Sequence, residues 1–316
     1  HAGEHGHAHE MEEIVVWGRA ETQKGKARSA SEGLVGYADF STRPLQRIGE
    51  LVEVVPGMVA TQHSGEGKAN QYYLRGMNLD HGTDFSVYFE GMPVNLRAHA
   101  HGQGYLDLNF LIPEVISTVA YQKGPYFAER GDFSTAGSSL ISVYDQIRPF
   151  VELTAGSDDY RRLVTAGSIE LAKGNLLLAT EVLRNDGPWV NAADVDKRNL
   201  MGKYSAHDGA VSRHVLFSYY ENDWNSTDQV PKHLVDAGSI DRFGAIDPTI
   251  GGSSRRLSLI GNVQADDWHV GGYVSDYRLN LFGNFTYFLE NPTEGDQHEQ
   301  VDRRTIFGGH AQRLFT

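Results

Sequence analysis

The stretch FSVYFEGMPV, from Phe85 to Val94, decides how the first half of this chain folds. The aromatic and β-branched residues of Phe85 to Phe89 predict a short strand, and Glu90-Gly91-Met92-Pro93 predicts the turn that ends it. Three further short strands are predicted, at Met58 to Gln62, Gln71 to Arg75 and Ser117 to Gln122.

Two helical patterns lie among these strands. Leu45, Ile48, Val52 and Val55 recur at helical spacing, and Pro56-Gly57 ends the pattern. A second, brief helix is predicted around Ile112 to Ile116. Short strands and short helices in alternation favour a compact α+β domain.

From Pro149 the pattern changes to the alternation that is typical of long strands. In RLSLIGNVQ, Leu257, Leu259 and Val263 lie on the face opposite Ser258 and Asn262. The same alternation is predicted for Val151, Leu153 and Ala155 in FVELTAG, and for Leu281, Phe285, Tyr287 and Leu289 in LFGNFTYFLE. About eight or nine strands of roughly ten residues fit the stretch, the length and period of a membrane barrel wall. A soluble antiparallel sandwich has the same period.

Composition excludes several classes of protein. The formal net charge is −13, from 41 acidic and 28 basic residues, which argues against binding to nucleic-acid phosphates. Cysteine is absent, so the chain has no disulfide, thiolate metal site or cysteine nucleophile. No apolar run approaches the roughly 18 residues of a membrane-spanning helix.

Several motifs between Leu51 and Tyr144 resemble, in their order, the plug domain of TonB-dependent outer-membrane receptors. The matching segments are LVEVVPGM (Leu51 to Met58), YLRG (Tyr73 to Gly76), FSVYFEGMPV (Phe85 to Val94), IPEVISTVAYQKGP (Ile112 to Pro125) and Gly131 to Val143. The resemblance implies a plug domain at 37–147 followed by an antiparallel transmembrane β-barrel from 148 to 316. A barrel that houses a plug has about 22 strands, so the chain is expected to be a fragment that contains the first part of the wall.

The N-terminal residues 1–36 are interpreted as a His-rich tail, a TonB-box-like segment and a polar link. By resemblance, Glu12, Glu13, Ile14, Val15 and Val16 form the TonB box, which adds as a strand to a TonB-type periplasmic energy transducer. The other interpretation of EEIVV is the first strand of the plug. His5, His7 and His9 in the preceding tail are either metal ligands or part of an inert terminus.

Two predicted plug loops carry candidate ligand-binding residues. Asp80 and His81 follow the Arg-Gly motif, and His99 and His101 follow the Gly-Met-Pro turn. On an extended strand His99 and His101 would share one face, and with Asp80 or His81 nearby they would form a site for zinc, copper or nickel. The alternative is that these histidines only hydrogen-bond loop backbone or the barrel wall.

Catalytic signatures are not found in the sequence. A cupin-type metal site is excluded because the spacing from Gly91 to His99 is wrong and no Glu follows at the required interval. A nucleophile elbow and a phosphate-binding loop are also missing from the sequence. The chain is therefore expected not to be an enzyme.

The resemblance implies a transporter of the cell outer membrane, in contact with its lipid and energised through the inner-membrane partner. It would need no cofactor, and its cargo would be a metal ion or a metal chelate, for example a siderophore–iron complex, zinc or copper. Two alternatives stay open: a passive or binding-only surface receptor, and an importer of a non-metal nutrient such as an oligosaccharide.

Overall fold

The computed structural model describes residues 31–43, 45, 47–62 and 66–313. The predicted TonB box at Glu12 to Val16 and the tail histidines His5, His7 and His9 lie outside these residues. No helix in the described part of the chain is both long enough and apolar enough to cross a membrane.

The first half of the chain is a small α+β domain with two sheets. The larger sheet has the strand order β1-β7-β8-β5-β6, and the smaller one has the order β2-β3-β4. The strands are β1 (Glu32–Gly36), β2 (Met58–Thr61), β3 (Gln71–Leu74), β4 (Met77–Asn78), β5 (Phe85–Phe89), β6 (Met92–Pro93), β7 (Ile116–Lys123) and β8 (Gly137–Val143). The strand predicted at Phe85 to Phe89 is confirmed, and the other predicted strands differ from the observed ones by one residue at one or both ends.

The helices of this domain are short. Helix α1 spans Tyr37–Phe40, and 3₁₀ helices span Ile48–Val54, Pro113–Val115 and Ala128–Arg130. The helix predicted before Pro56-Gly57 is therefore 3₁₀ in type, but its apolar face is buried as expected, with Leu51, Val52 and Val55 fully inside. Residues up to Gly36 do not all form a polar link, since β1 pairs with β7 from Glu32 onwards.

The second half is one antiparallel sheet of eight strands in sequential order. They are β9 (Phe150–Ala155), β10 (Arg161–Leu171), β11 (Gly174–Asn185), β12 (Val195–Asp208), β13 (Val211–Asn225), β14 (Gly251–Gln264), β15 (Trp268–Gly283) and β16 (His298–Arg313). We call this sheet the wall. The stretch 284–290 is a loop beyond the end of β15, so the face predicted for Phe285, Tyr287 and Leu289 is wrong.

The two ends of the wall differ in the length of their connections. Two-residue connections such as Ala172-Lys173 and the short stretch 265–267 lie at one end, which we call the turn end. Residues 186–194, 226–250 and 284–297 lie at the other, the loop end, and 226–250 contains helix α2 (Lys232–Asp236). Outer-membrane barrels have this asymmetry, with short turns on the periplasmic side and long loops outside.

Strand β14 shows which face of the wall is apolar. Leu257 and Leu259 are 42% and 47% exposed on the outer face, whereas Ser258 and Asn262 are 1% and 5% exposed on the inner face. The predicted alternation is thus confirmed, with the apolar side chains outside. A soluble sandwich would bury that face, so the polarity of the wall is that of a barrel in lipid.

The inner face of the wall packs around the plug. Wall residues Val164, Leu177 and Leu216 are fully buried in the same hydrophobic cluster as Phe85 and Leu111 of the plug. Ion pairs cross the boundary as well: Arg162 of β10 binds Glu114, and Lys203 of β12 binds Glu90. The first domain therefore lies against the concave side of the wall, as the plug-and-barrel prediction requires.

Candidate functional site

The predicted ligand-binding residues lie on two plug loops, 79–84 and 95–105. Asn95 holds these loops together, because its Nδ2 donates to the carbonyl oxygens of Gly82 at 3.0 Å and Gly104 at 3.1 Å. Gly82 and Gly104 have φ values of +121° and +73°, which favour glycine at both positions. Asn95 thus links two loops that are separate in the sequence.

His81 and His101 meet across these loops. Their Nε2 atoms are 3.1 Å apart, and their ring centroids are 4.7 Å apart. We call them the plug-loop histidine pair. The sequence identified both residues as candidates but gave no distance between their loops.

The other ring nitrogen of each histidine contacts an oxygen acceptor. Nδ1 of His81 is 3.0 Å from the carbonyl oxygen of Ala69 and 3.2 Å from that of Asn70. Nδ1 of His101 is 2.9 Å from Oε1 of Gln300. Since these oxygens only accept hydrogen bonds, both Nδ1 atoms carry their protons and donate.

The tautomers have a consequence for the pair. In the neutral forms, both Nε2 atoms present a lone pair, and the two atoms are 3.1 Å apart. Two such acceptors repel at this distance unless one of them takes up a proton or both bind the same metal cation. The arrangement therefore favours either a shared proton or a metal cation bound by both rings.

Asp80 lies beside the pair. Its Oδ1 is 3.9 Å from Nε2 of His81, and the carboxylate is 55% exposed. Asp80 has a φ of +47°, in a turn in which its own N–H donates to Oδ1 of Asn78 at 2.9 Å. The carboxylate is close enough to support a cation at the pair, but it does not contact His81 directly.

His99 occupies a different position from the one predicted. The loop 95–105 is irregular rather than extended, so His99 and His101 do not share a strand face. The His99 ring stacks on Tyr105 with centroids 3.9 Å apart and an interplanar angle of 7°. Its Nδ1 accepts the N–H of His101 at 3.1 Å, and its Nε2 is 3.9 Å from Oδ2 of Asp302. His99 thus positions the backbone of His101.

The electrostatics of His99 keep it neutral. Burial lowers its pKa from 6.5 to about 3, and the nearby cations of Arg304 and Arg256 act in the same direction, while Asp302 opposes them. A neutral ring is what allows Nδ1 to accept a hydrogen bond from the loop backbone.

The wall completes the site from strand β16. Gln300 accepts the His101 proton at Oε1, and its Nε2 donates to the carbonyl oxygen of Ala100 at 3.1 Å. Asp302 is 5% exposed and accepts the N–H of Ala100 at 3.3 Å. Sequence reasoning missed both residues, although inward polar positions on a wall strand are the signal that would have found them. Since Gln300 and Asp302 lie near the start of β16, the site is towards the loop end.

The predicted three- or four-ligand metal site does not form as a preassembled cluster. Among the described residues, no group of three or more histidine and carboxylate side chains is arranged to hold a metal ion. Of the four candidates, the structure brings His81 and His101 together, places Asp80 beside them and turns His99 towards Tyr105.

Comparison with known proteins identifies the first domain. Residues 25–138 match the TonB-dependent Receptor Plug Domain family. The match contains the plug-loop histidine pair, strands β1 to β7 and the first two residues of β8.

Solved structures show that the whole described fold has known counterparts. The chain is similar to the ferric citrate transporter FecA in its unliganded form, with a TM-score of 0.64 and 17% identity, over 81% of this chain and 41% of that one. It is also similar to the pyoverdine outer membrane receptor FpvA from Pseudomonas aeruginosa PAO1, with a TM-score of 0.63 and 14% identity, over 87% of this chain and 42% of that one. A third similar structure is the siderophore receptor PiuA from Acinetobacter baumannii, with a TM-score of 0.62 and 15% identity, over 90% of this chain and 43% of that one.

At these identities the likeness establishes the fold. The chain spans less than half the length of each of these three structures. Its architecture is that of the TonB-dependent receptors: a plug domain followed by part of an antiparallel β-barrel wall.

Proposed function

We propose that this chain belongs to a transporter of the outer membrane that imports a transition-metal ion or its chelate. The plug-loop histidine pair receives the cargo at the loop end, which faces outwards. A TonB-type periplasmic energy transducer binds Glu12 to Val16 and supplies the energy. The protein acts as a transporter and not as an enzyme, and the metal is cargo rather than a cofactor.

The 3.1 Å spacing of the pair carries the proposal. Two metal–nitrogen bonds of about 2.05 Å across this spacing would subtend about 98°, which a tetrahedral or octahedral ion accommodates. Imidazole suits zinc, copper, nickel and iron. The remaining positions are open to Asp80, to water or to the donor groups of a chelator.

The side chains around the pair favour a metal cargo over an oligosaccharide. FecA is a ferric citrate transporter and FpvA was solved with pyoverdine bound, so related folds accept metal chelates. An oligosaccharide site would need aromatic platforms and hydroxyl-binding groups, whereas Tyr105, the aromatic residue nearest the pair, is fully buried under His99. We therefore favour metal cargo over the importer of a non-metal nutrient.

A titration tests the cargo. Zinc or copper is titrated into the purified receptor in detergent and into the double variant His81→Ala, His101→Ala. We expect the variant to lose one binding event, while His233→Ala, in the exposed helix α2, leaves it unchanged. Equal affinity of the double variant and the wild type would refute the site.

A second experiment tests energised transport against passive binding. Val15→Pro removes a backbone donor from the strand that would add to the energy transducer, and Val15→Thr keeps that donor. We expect Val15→Pro to abolish metal uptake by cells while surface binding persists, and Val15→Thr to retain uptake. Unchanged uptake by Val15→Pro would favour the passive receptor.

A further inference from the structure

A second histidine cluster lies at the turn end of the wall, opposite the plug-loop histidine pair. His269 near the start of β15 and His310 near the end of β16 project from the inner face, next to the plug turn at Glu90-Gly91. Asn262 of β14 and His214 of β13 lie beside them. None of these residues contributes to the site described above.

Two imidazole nitrogens and one amide oxygen lie close together in this cluster. Nε2 of His310 is 3.3 Å from Nε2 of His269, and that atom is 3.1 Å from Oδ1 of Asn262. Because the amide oxygen only accepts, His269 donates to it from Nε2, and metal binding would require this ring to carry its proton on Nδ1 instead. Two metal–nitrogen bonds of about 2.05 Å across 3.3 Å would subtend about 107°, close to the tetrahedral angle. The spacing thus suits two ligands of one tetrahedral ion, as it also suits a hydrogen bond between the two rings.

The orientation of Asn262 is fixed by its other contacts. Its Nδ2 donates to the backbone carbonyl of Glu90 at 2.9 Å and lies 3.0 Å from Nε2 of His214. The amide oxygen is therefore turned towards His269. His214 is in turn 3.1 Å from Oε2 of Glu90. Glu90 of the plug turn therefore contacts both Asn262 and the histidine beside it.

The space between the three donors depends on a glycine. A Cβ atom at Gly271 would overlap Oδ1 of Asn262 and lie 2.8 Å from Nε2 of His310. The absence of a side chain at Gly271 therefore lets the amide oxygen and the imidazole approach the same point. Gly91 of the plug approaches the point from the other side, where a Cβ would lie 3.3 Å from Cε1 of His310.

We propose that His269, His310 and the amide oxygen of Asn262 form a second, weak binding site for a transition-metal ion, at the exit of the route past the plug. The inference rests on the proposed function, because it concerns the cargo of the same transporter. Two imidazoles and one neutral oxygen bind a borderline ion such as zinc or cobalt(II) and leave a position open for exchange. Weak binding suits a transport route, since an ion has to leave each site that it enters.

The site would act as a relay for released metal. The plug-loop histidine pair is at the loop end and this cluster is at the turn end, so the two sites lie at opposite ends of the boundary between plug and wall. Because Asn262 and His214 both contact Glu90, a shift of the plug turn would change the donor geometry. The site is therefore coupled to plug movement by direct contacts.

Cobalt(II) titration of the purified receptor in detergent tests the proposal, with the visible absorption of tetrahedral cobalt as the readout. We expect the double variant His269→Ala, His310→Ala to bind one equivalent less than the wild type and to lose a corresponding part of the absorption. Gly271→Ala is expected to lose the same equivalent, because its methyl group fills the site without removing a ligand. His207→Ala, at the turn end of β12 and paired with Asp145, is the matched control and leaves the titration unchanged.

The outcomes for the two sites are independent. If the double variant binds as much cobalt as the wild type, the cluster is a hydrogen-bonded chain only and the relay is refuted. If His81→Ala, His101→Ala loses an equivalent and His269→Ala, His310→Ala does not, the proposed function stands without the relay. If the loss is confined to His269→Ala, His310→Ala, the turn-end site stands and the entry site is refuted.

Discussion

Glu90 of the plug and Lys203 of the wall form a buried ion pair, with Oε1 and Nζ 3.0 Å apart. The same Oε1 accepts the backbone N–H of Val143 at 2.6 Å, and Nζ also donates to the carbonyl oxygen of Val143 at 2.7 Å. Burial alone would raise the pKa of Glu90, but His214 and Lys203 lower it below its ordinary value. The carboxylate is therefore charged at neutral pH and ties the end of β8 to the wall.

Removing one charge of this pair should weaken the attachment of the plug. Glu90→Gln leaves Lys203 buried with Asp145 as its remaining charged partner at 2.9 Å. We expect a loss near the lower end of the roughly 3–5 kcal/mol measured when one partner of a buried pair is removed. Denaturant unfolding in detergent measures the loss. Glu90→Gln combined with Lys203→Met should recover part of it, and Glu129→Gln, an exposed plug carboxylate, should have little effect.

His99 should make the plug less stable in mild acid. Its pKa is about 3 in the folded chain against an ordinary 6.5. Between these two pH values His99 is therefore protonated in the unfolded chain and neutral in the folded chain. Stability attributable to His99 is complete above pH 6.5 and is lost as the pH falls towards 3, by at most about 1.4 kcal/mol per pH unit. The free energy of unfolding, measured between pH 8 and pH 4, gives the slope.

The matched variant for this pH effect is His99→Phe, which keeps an aromatic ring on Tyr105 and does not titrate. We expect its stability to fall less steeply between pH 6.5 and pH 4 than that of the wild type. Parallel curves would show that His99 does not cause the acid sensitivity.

Arg162 should stabilise the plug–wall boundary more than any exposed arginine. It donates to both oxygens of Glu114 in the plug, at 2.6 Å and 2.9 Å, and to Glu181 in the wall at 2.6 Å. Arg162→Met leaves these buried carboxylates with fewer partners, and we expect a loss of roughly 3–5 kcal/mol. The loss for Arg162→Lys should lie between zero and that of Arg162→Met, because lysine keeps the charge but cannot form the bidentate contact.

The neighbouring Arg161 provides the control for Arg162. It points outwards with 69% of its side chain exposed and pairs with Asp159. Arg161→Met should change the unfolding free energy by about 0.5 kcal/mol or less. If the two methionine variants unfold alike, the boundary ion pair contributes nothing.

A charged residue in place of Leu259 should hinder folding into a bilayer. Leu259 lies near the middle of β14 on the apolar outer face. Leu259→Lys should cost roughly 2–4 kcal/mol on folding into a bilayer, as for other cations at mid-depth in a barrel wall. Leu259→Phe should be tolerated. In a water-soluble sheet a lysine at this half-exposed position would cost little, so equal folding yields would contradict the membrane assignment.

The sequence predicted the local fold well where the pattern is strong. The alternation of RLSLIGNVQ predicted strand β14 and its two faces, because successive side chains on a strand point to opposite faces of the sheet, here one apolar and one polar. The same reasoning failed for Phe285, Tyr287 and Leu289, whose alternation continues beyond Gly283 into a loop. Aromatic residues in that loop mimic a strand, and only the pairing of β15 with β16 shows where the strand stops.

The candidate site was predicted in part. His81 and His101 were identified by residue type, but their contact depends on Asn95 joining two loops, and no local pattern predicts a distance of that kind. Gln300 and the turn-end residue His310 come from a strand that lies about 200 residues along the chain from the plug loops. Their contribution follows from the curvature of the wall around the plug, which is a property of the tertiary fold.

The inner face of the wall carries Arg162 and Lys203, which form ion pairs with Glu114 and Glu90 of the plug, in addition to its apolar residues. Water can solvate both members of an ion pair once they separate, whereas separating hydrocarbon costs about 25 cal/mol for each Å² exposed. Water can therefore enter the boundary between plug and wall along these ion pairs at a lower cost than along its apolar contacts. In the proposed transporter, a hydrated cargo that enters there would exchange one polar environment for another, so a path would open without the plug leaving as a whole.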